Sequence, residues 1–432
     1  MANQTQMRAQ SPADTALRRM AWILPLANRN FRLLWLGENI SLLGDQFYFI
    51  ALPWLVFQMT DSALAFGTIL MVAGIPRAVL MLVGGVMTDR ISPRSVMIVS
   101  NLFRLIITLL LTFIVAAQAT ELWMLYVIAF CFGSVDAFFH PAYRSIIPFI
   151  VDEDNLQASN SLMQAAAQLV QIVGPGVAGI VVRSVGAALS FAFDTLTFLF
   201  TSILLWMMRL AAIPRSQTQP TASKQAGILA EISEMLIYIR HDKLLTTLIL
   251  VVAAVNLFFV GPLIVGSAAL SQIRFVQGSV AYGVMLSSFA IGALAGTLTA
   301  GAVHLKEAGV VSLLLVAAEG VLMIGIGCTF SLAFSCGLWL LTGFGAGFGS
   351  LNLITLTQTR VAKPMMGRFM SLLALTEVGL TPISNALAGL LADWNATALF
   401  VLAGACLTIT GLLAAMNGNI RSSATQSPQA KL

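Results

Sequence analysis

Ionisable side chains inside otherwise apolar stretches are where this chain could do chemistry. They are Glu38, Asp45, Arg77, Arg104, Asp136, His140, Asp194, Glu319 and Glu377. A charge among apolar neighbours is costly unless it faces a cavity, a partner or a proton that neutralises it. A carboxylate taken out of water keeps its proton to higher pH, so it can load a proton on one side of a barrier and release it on the other. Glu38 and Asp45 are seven residues apart and share one helical face. Asp136, His140 and Arg144 are spaced by four and stack along one stripe of a helix. Arg77, Arg104 and Asp136 come out at similar depth, which predicts an Arg–Asp network with Asp136 as the arginines' partner.

The elements that must position these groups follow from composition. Hydrophobic residues make up 58% of the 432 residues and charged residues 9%, against about 25% charged in a soluble domain. Such a chain cannot cover a globule with polar surface, so lipid is its solvent. A bilayer crossing needs about 20 apolar residues. Twelve runs qualify: 32–58, 62–87, 95–117, 122–143, 158–182, 187–208, 244–269, 281–303, 309–330, 333–357, 370–392 and 396–417. The expected fold class is an all-α polytopic membrane protein of two pseudo-symmetric six-helix bundles. Its domains are a segment 1–30, a bundle 31–209, a linker 210–243, a bundle 244–418 and a tail 419–432. Within the linker region, 227–245 has apolar residues at helical spacing and reads as an amphipathic helix on the membrane surface. Lys and Arg crowd the loops on one side, leaving Arg183 and Arg274 on the other. By the positive-inside rule both termini are cytoplasmic.

The halves share short patterns. Arg144-x-x-x-Pro148 closes span four and Arg360-x-x-x-Pro364 closes span ten, while Gly85-x-x-x-Asp89-Arg90 after span two matches Gly301-x-x-x-Leu305-Lys306 after span eight. Together they favour duplication. Gly85-Val-Met-Thr-Asp89-Arg90-Ile-Ser-Pro-Arg94 resembles the loop signature of the major facilitator superfamily, with Ser92 in place of a glycine and Ser95 in place of a basic residue. From about 31 to 415 the chain also resembles the drug:proton antiporter branch that includes macrolide-efflux-type proteins. The stretches that carry this are FRLLWLGENISLLGDQFYFI, HPAYRSIIPFIV, VGPGVAGIV, FAFDTLTFL and GRFMSLLAL.

The resemblance implies roles. Asp45, on a helix that lines the central cavity of such folds, is the first choice for proton coupling and Glu38 the second. Glu319 and Glu377 rank lower, because span nine is peripheral in such folds and Glu377 lies near the loop of Asp89. Asp194 is expected to be structural and hydrogen-bonded. Gly85, Asp89, Arg90 and Arg94 form a conformational latch in which Gly85 admits a close helix approach and Asp89 caps the start of span eleven. Gly174, Pro175 and Gly179 form a helix-five bend and packing motif. Gly174 to Gly179 also fits the dinucleotide fingerprint, but no strand precedes it and it lies mid-span. The glycines 343, 345, 347 and 349 signal flexibility or tight packing.

No nucleophile elbow, metalloprotease helix, Cys-x-x-Cys or phosphate loop occurs, which argues against an enzyme and against self-contained ATP drive. Cys131, Cys328, Cys336 and Cys406 read as small buried apolar residues. The expectation is a monomeric secondary transporter of a bacterial inner membrane. It exports a hydrophobic or amphipathic small molecule against protons, needs no cofactor or metal and binds no nucleic acid. The alternatives are export of a specific metabolite such as a siderophore, movement of a lysophospholipid, uncoupled facilitation, or a transporter-like receptor.

Overall fold

The computed structural model describes residues 24–209, 242–303, 308–361 and 365–416. Helices α1 (Arg29–Thr60), α2 (Ala63–Arg90), α3 (Pro93–Ala116) and α4 (Leu122–Ile146) follow one another through short connections. Several starts are capped by side chains: Asn28 accepts from the amides of Asn30 and Phe31, and Ser62 from that of Ala65. Such caps satisfy amides that a helix start leaves unpaired.

The next helical run, Leu156–Met207, holds 52 residues, about 78 Å at the usual rise and far more than one crossing. It breaks at Gly186, where φ is 83° and ψ 176°. Only glycine enters that region without strain. The parts, α5 (156–185) and α6 (187–207), double back: Leu162 accepts a hydrogen bond from Trp35 near the start of α1, and Thr201 donates to Gly37 two residues further on. Helix α7 joins Lys243–Phe258 through a π turn at Pro262–Gly266 to Ser267–Arg274. Helices α8 (Ser279–Ala302), α9 (Ala308–Cys328) and α10 (Leu332–Arg360) follow. The last run, Met366–Met416, breaks at extended Asn395 into α11 (366–394) and α12 (396–416). Among the described residues ten runs are long and apolar enough to cross a membrane. Two of them double back, which fits twelve crossings among the described residues.

The 227–245 expectation needs correcting at its end. Lys243–Leu245 is the first turn of α7, with Asp242 as its cap accepting from the amides of Leu244 and Leu245; residues 227–241 lie outside the described residues. Leucine, phenylalanine and valine side chains such as Val79, Phe113, Leu196, Leu298 and Leu413 point outward and exposed, as a lipid-solvated surface requires.

The two halves meet along two seams, α2 with α11 and α5 with α8, which exchange under the pseudo-twofold relation between halves. Both lie toward the end opposite the N-terminus. Gly283 of α8 stands so close to α5 that a Cβ there would lie 2.1 Å from the Pro175 carbonyl oxygen. Ser287 accepts from the Gly176 amide, Ser279 donates to the Gly179 carbonyl, and Arg183 donates to the Val276 carbonyl. At the other, basic end, which carries Arg29, Arg32, Arg94, Arg144, Arg209 and Arg360, a Cβ at Gly85, Gly301 or Gly367 would meet nothing within 4 Å. Among the described residues the halves are joined at one end, while these three glycines face open space at the basic end.

Candidate functional site

The N-terminal half holds a buried charge cluster. Arg104 of α3, 4% exposed, bonds Asp136 of α4, and Arg77 of α2 reaches the same carboxylate at 3.9 Å. From the basic end all three lie about 15–20 Å deep. The Arg104 guanidinium also sits 4.0 Å from the Phe139 ring centre and 5.7 Å from those of Phe132 and Phe198. Ring faces attract a desolvated cation, so three rings and one carboxylate hold Arg104. Asp45, half-buried on α1, lies in the field of Arg104, Asp136 and Arg77. Glu38 is 6% exposed, and its Oε2 has no hydrogen-bond partner among the described residues. His140 is one turn along α4 from Asp136 and packs against Phe139. Arg144 is exposed at the end of α4.

The C-terminal half holds a cavity of about 440 Å³ between α7, α9, α10 and α11. Its walls are mostly apolar, among them Val251, Val252, Val255 and Phe259 of α7, with Asn256, Glu319, Ser350 and Glu377 as the polar interruptions at mid-depth. Thr357 and Met370 line its mouth toward the basic end. At its far end Phe259 packs with Phe289 and Trp339, ring centres 5.7–6.2 Å apart, and closes it from the opposite end. Glu319 is 3% exposed. A Cβ on Gly345 would lie 3.0 Å from its Oε1. The four alternate glycines thus serve two faces of α10. Gly343 and Gly347 lie on the carbonyls of Phe289 and Ala293 of α8, while Gly345 faces Glu319 on α9.

At the opposite end, Asp393 of α11 accepts from the Ser62 hydroxyl at 2.6 Å and from the amides of Ala63 and Leu64 that begin α2. One turn away a Cβ on Gly389 would lie 2.6 Å from the Ala63 carbonyl oxygen.

This architecture agrees with comparison to known proteins. The family model described as "Transmembrane secretion effector" matches residues 20–431. The chain belongs to this family, a branch of the major facilitator superfamily. Macrolide efflux protein A of Streptococcus pyogenes is 25% identical over 399 residues, 90% of this chain and 96% of that protein. The enterobactin exporter EntS of Salmonella typhi is 24% identical over 409 residues, 92% and 95% of the two chains. A bacterial homologue of the iron transporter ferroportin, solved in its inward-facing state, superposes with a TM-score of 0.68 at 17% identity, covering 92% of this chain and 99% of that one.

Within this facilitator several sequence expectations change. Gly85 admits no close helix approach in this conformation. Its neighbour Gly84 does, with a Cβ position 2.3 Å from the Ala137 carbonyl oxygen of α4. In this conformation Arg94 donates to the carbonyls of Leu205 and Trp206 and staples the end of α6. The side chains of Asp89 and Arg90 lie outside what is described. Gly174, Pro175 and Gly179 serve packing: Gly174 admits Gln46 of α1, and the other two meet α8. The helix runs on through Pro175, and the break comes at Gly186. Asp194 is fully buried beside Thr197, whose hydroxyl donates to the Asp194 backbone carbonyl. It faces Gly44 of α1, where a Cβ would lie 2.6 Å from Oδ1. Asp393 went unnoticed, although Gly389-x-x-x-Asp393 repeats the Gly85-x-x-x-Asp89 spacing at the end of a helix.

Proposed function

We propose that this facilitator is a secondary active exporter of hydrophobic or amphipathic small molecules, driven by protons and working by alternating access, and not an enzyme. The observation that carries the reading is the arrangement of the described residues: two six-helix halves joined at one end, with a cavity in the C-terminal half that runs from mid-depth toward the other end. A volume of about 440 Å³ lies within the range that holds drug-sized ligands. Arginines concentrated at the basic end support a cytoplasmic orientation for it, under which this is an inward-facing state and both termini lie on the cytoplasmic side of a bacterial inner membrane. The relatives named for efflux and export support the direction of transport. Proton coupling is assigned to Asp45 and Glu38 of α1, at the edge of the Arg104–Asp136 cluster, because a carboxylate at that depth is costly unless it exchanges a proton or a partner.

The test is transport in proteoliposomes with an imposed pH gradient, across a panel of amphipathic compounds. Asp45→Asn is expected to reduce gradient-driven export to background while counterflow exchange persists. Full gradient-driven export by that variant would remove Asp45 as the carrier.

A further inference from the structure

We propose that the C-terminal cavity binds amphipathic monocations, with the cationic centre held by Glu319 and the apolar body against α7. This names a substrate class for the exporter proposed above and rests on that reading. Among the described residues of α7 to α12, the carboxylate, arginine and lysine side chains at mid-membrane depth are Glu319 and Glu377, both acids on different walls of one cavity. Measured from the basic ends of α9 and α11, both lie about 16 Å deep. No described arginine or lysine shares that depth in this half: Arg274 and Arg360 sit at helix ends. The contrast with the N-terminal half is direct, since there Arg104 and Arg77 both reach Asp136.

Glu319 is 97% withdrawn from solvent, lines the cavity and has no hydrogen bond or ion pair to any described residue. Burial without a partner is costly for a carboxylate. Gly345 is what lets it lie there, because any side chain at that position would press on Oε1. A cation delivered by the ligand supplies the missing partner. Val251, Val252 and Val255 offer the apolar body a surface, and the Phe259 ring lies at the closed end, where a ring face adds attraction for a cation. An anionic cargo would find two carboxylates and no described counter-charge.

The experiment measures binding of tetraphenylphosphonium and of tetraphenylborate, a pair of nearly equal shape and opposite charge, to the purified full chain in detergent by equilibrium dialysis. The wild type is expected to bind the phosphonium at least about tenfold more tightly than the borate. Glu319→Gln should weaken phosphonium binding by more than about tenfold, the loss of one charge-assisted contact. Glu319→Asp should stay within about threefold of wild type, because the charge remains. Equal binding of the two probes by the wild type, or undiminished phosphonium binding by Glu319→Gln, overturns the site. Export of neutral amphipaths by a protein without phosphonium preference would leave the exporter standing and remove only the cation site. Charge-selective binding through Glu319 in a protein that moves nothing in vesicles would do the reverse.

Discussion

Arg104 has no exit to water: three phenyl rings and the Asp136 carboxylate surround its guanidinium, and its Nε finds no acceptor among the described residues. Removing one partner of a buried pair leaves the other uncompensated and costs about 3–5 kcal/mol, whereas removing both together can be nearly neutral. Asp136→Asn is therefore expected to lower stability by about 3 kcal/mol. Combining it with Arg104→Met should restore most of the loss. Denaturant unfolding of the purified protein in detergent, read by intrinsic fluorescence, measures both. Simple addition of the two single effects would mean that the contact contributes nothing. Arg77 is more exposed and 3.9 Å from the same carboxylate, too accessible to take over the pairing.

At the scale of elements, Asp393 does for the start of α2 what sequence reasoning assigned to Asp89 at the start of α11. A helix start carries about half a positive charge, and Asp393 meets that of α2 from the other half of the molecule, with Gly389 allowing the close approach. The contact is exposed, so its neutralisation should cost about 1 kcal/mol, roughly a fivefold change in a two-state ratio. Asp393→Asn is expected to shift the population toward the state open at that end. Asp89→Asn is expected to shift it the other way, toward the state described here, if Asp89 caps α11 when the basic end closes. Spin-label distances between Ala119 and Trp394 report the first gate, and between Ile91 and Gly367 the second. Shifts of the same sign in both variants would dissolve the two-clasp picture.

For the whole molecule, alternating access requires two packings of similar energy, and the seams α2–α11 and α5–α8 belong to one of them. Gly283 is the tightest point of the second seam, with a Cβ position 2.1 Å from backbone. Backbone cannot rotate aside as a side chain can, so forcing a larger residue in costs about 1–3 kcal/mol. Gly283→Val should therefore open the seam and populate the state closed at the basic end. Cysteines placed at Ser287 and labelled from the opposite side should then react about five- to thirtyfold faster, the change in population that 1–2 kcal/mol produces. Unchanged labelling, with the protein still folded, would mean that this seam does not limit the switch.

How much of this was readable beforehand divides by physical cause. The sequence by itself determined that the chain crosses a membrane about twelve times, where each crossing begins and ends to within a few residues, that it has two related halves, and which ionisable groups lie at membrane depth. These follow from run length, apolar content and the placement of arginine and lysine, all of which are local properties. Even the doubled-back helices read as separate spans, 158–182 and 187–208, because each apolar run is about one crossing long. Tertiary structure alone decided the partners. That Asp136 takes Arg104, that Glu319 takes no partner among the described residues, that Arg94 staples α6 and that the closed clasp belongs to Asp393 depend on how each helix is rotated about its axis. They depend also on which helix stands beside it and on which of two packings the halves adopt. A single sequence states the depth of a charge along its helix but not its azimuth. For that reason Glu319, ranked low because its helix is peripheral in folds of this type, proves to line the cavity, facing Gly345 across the α9–α10 contact.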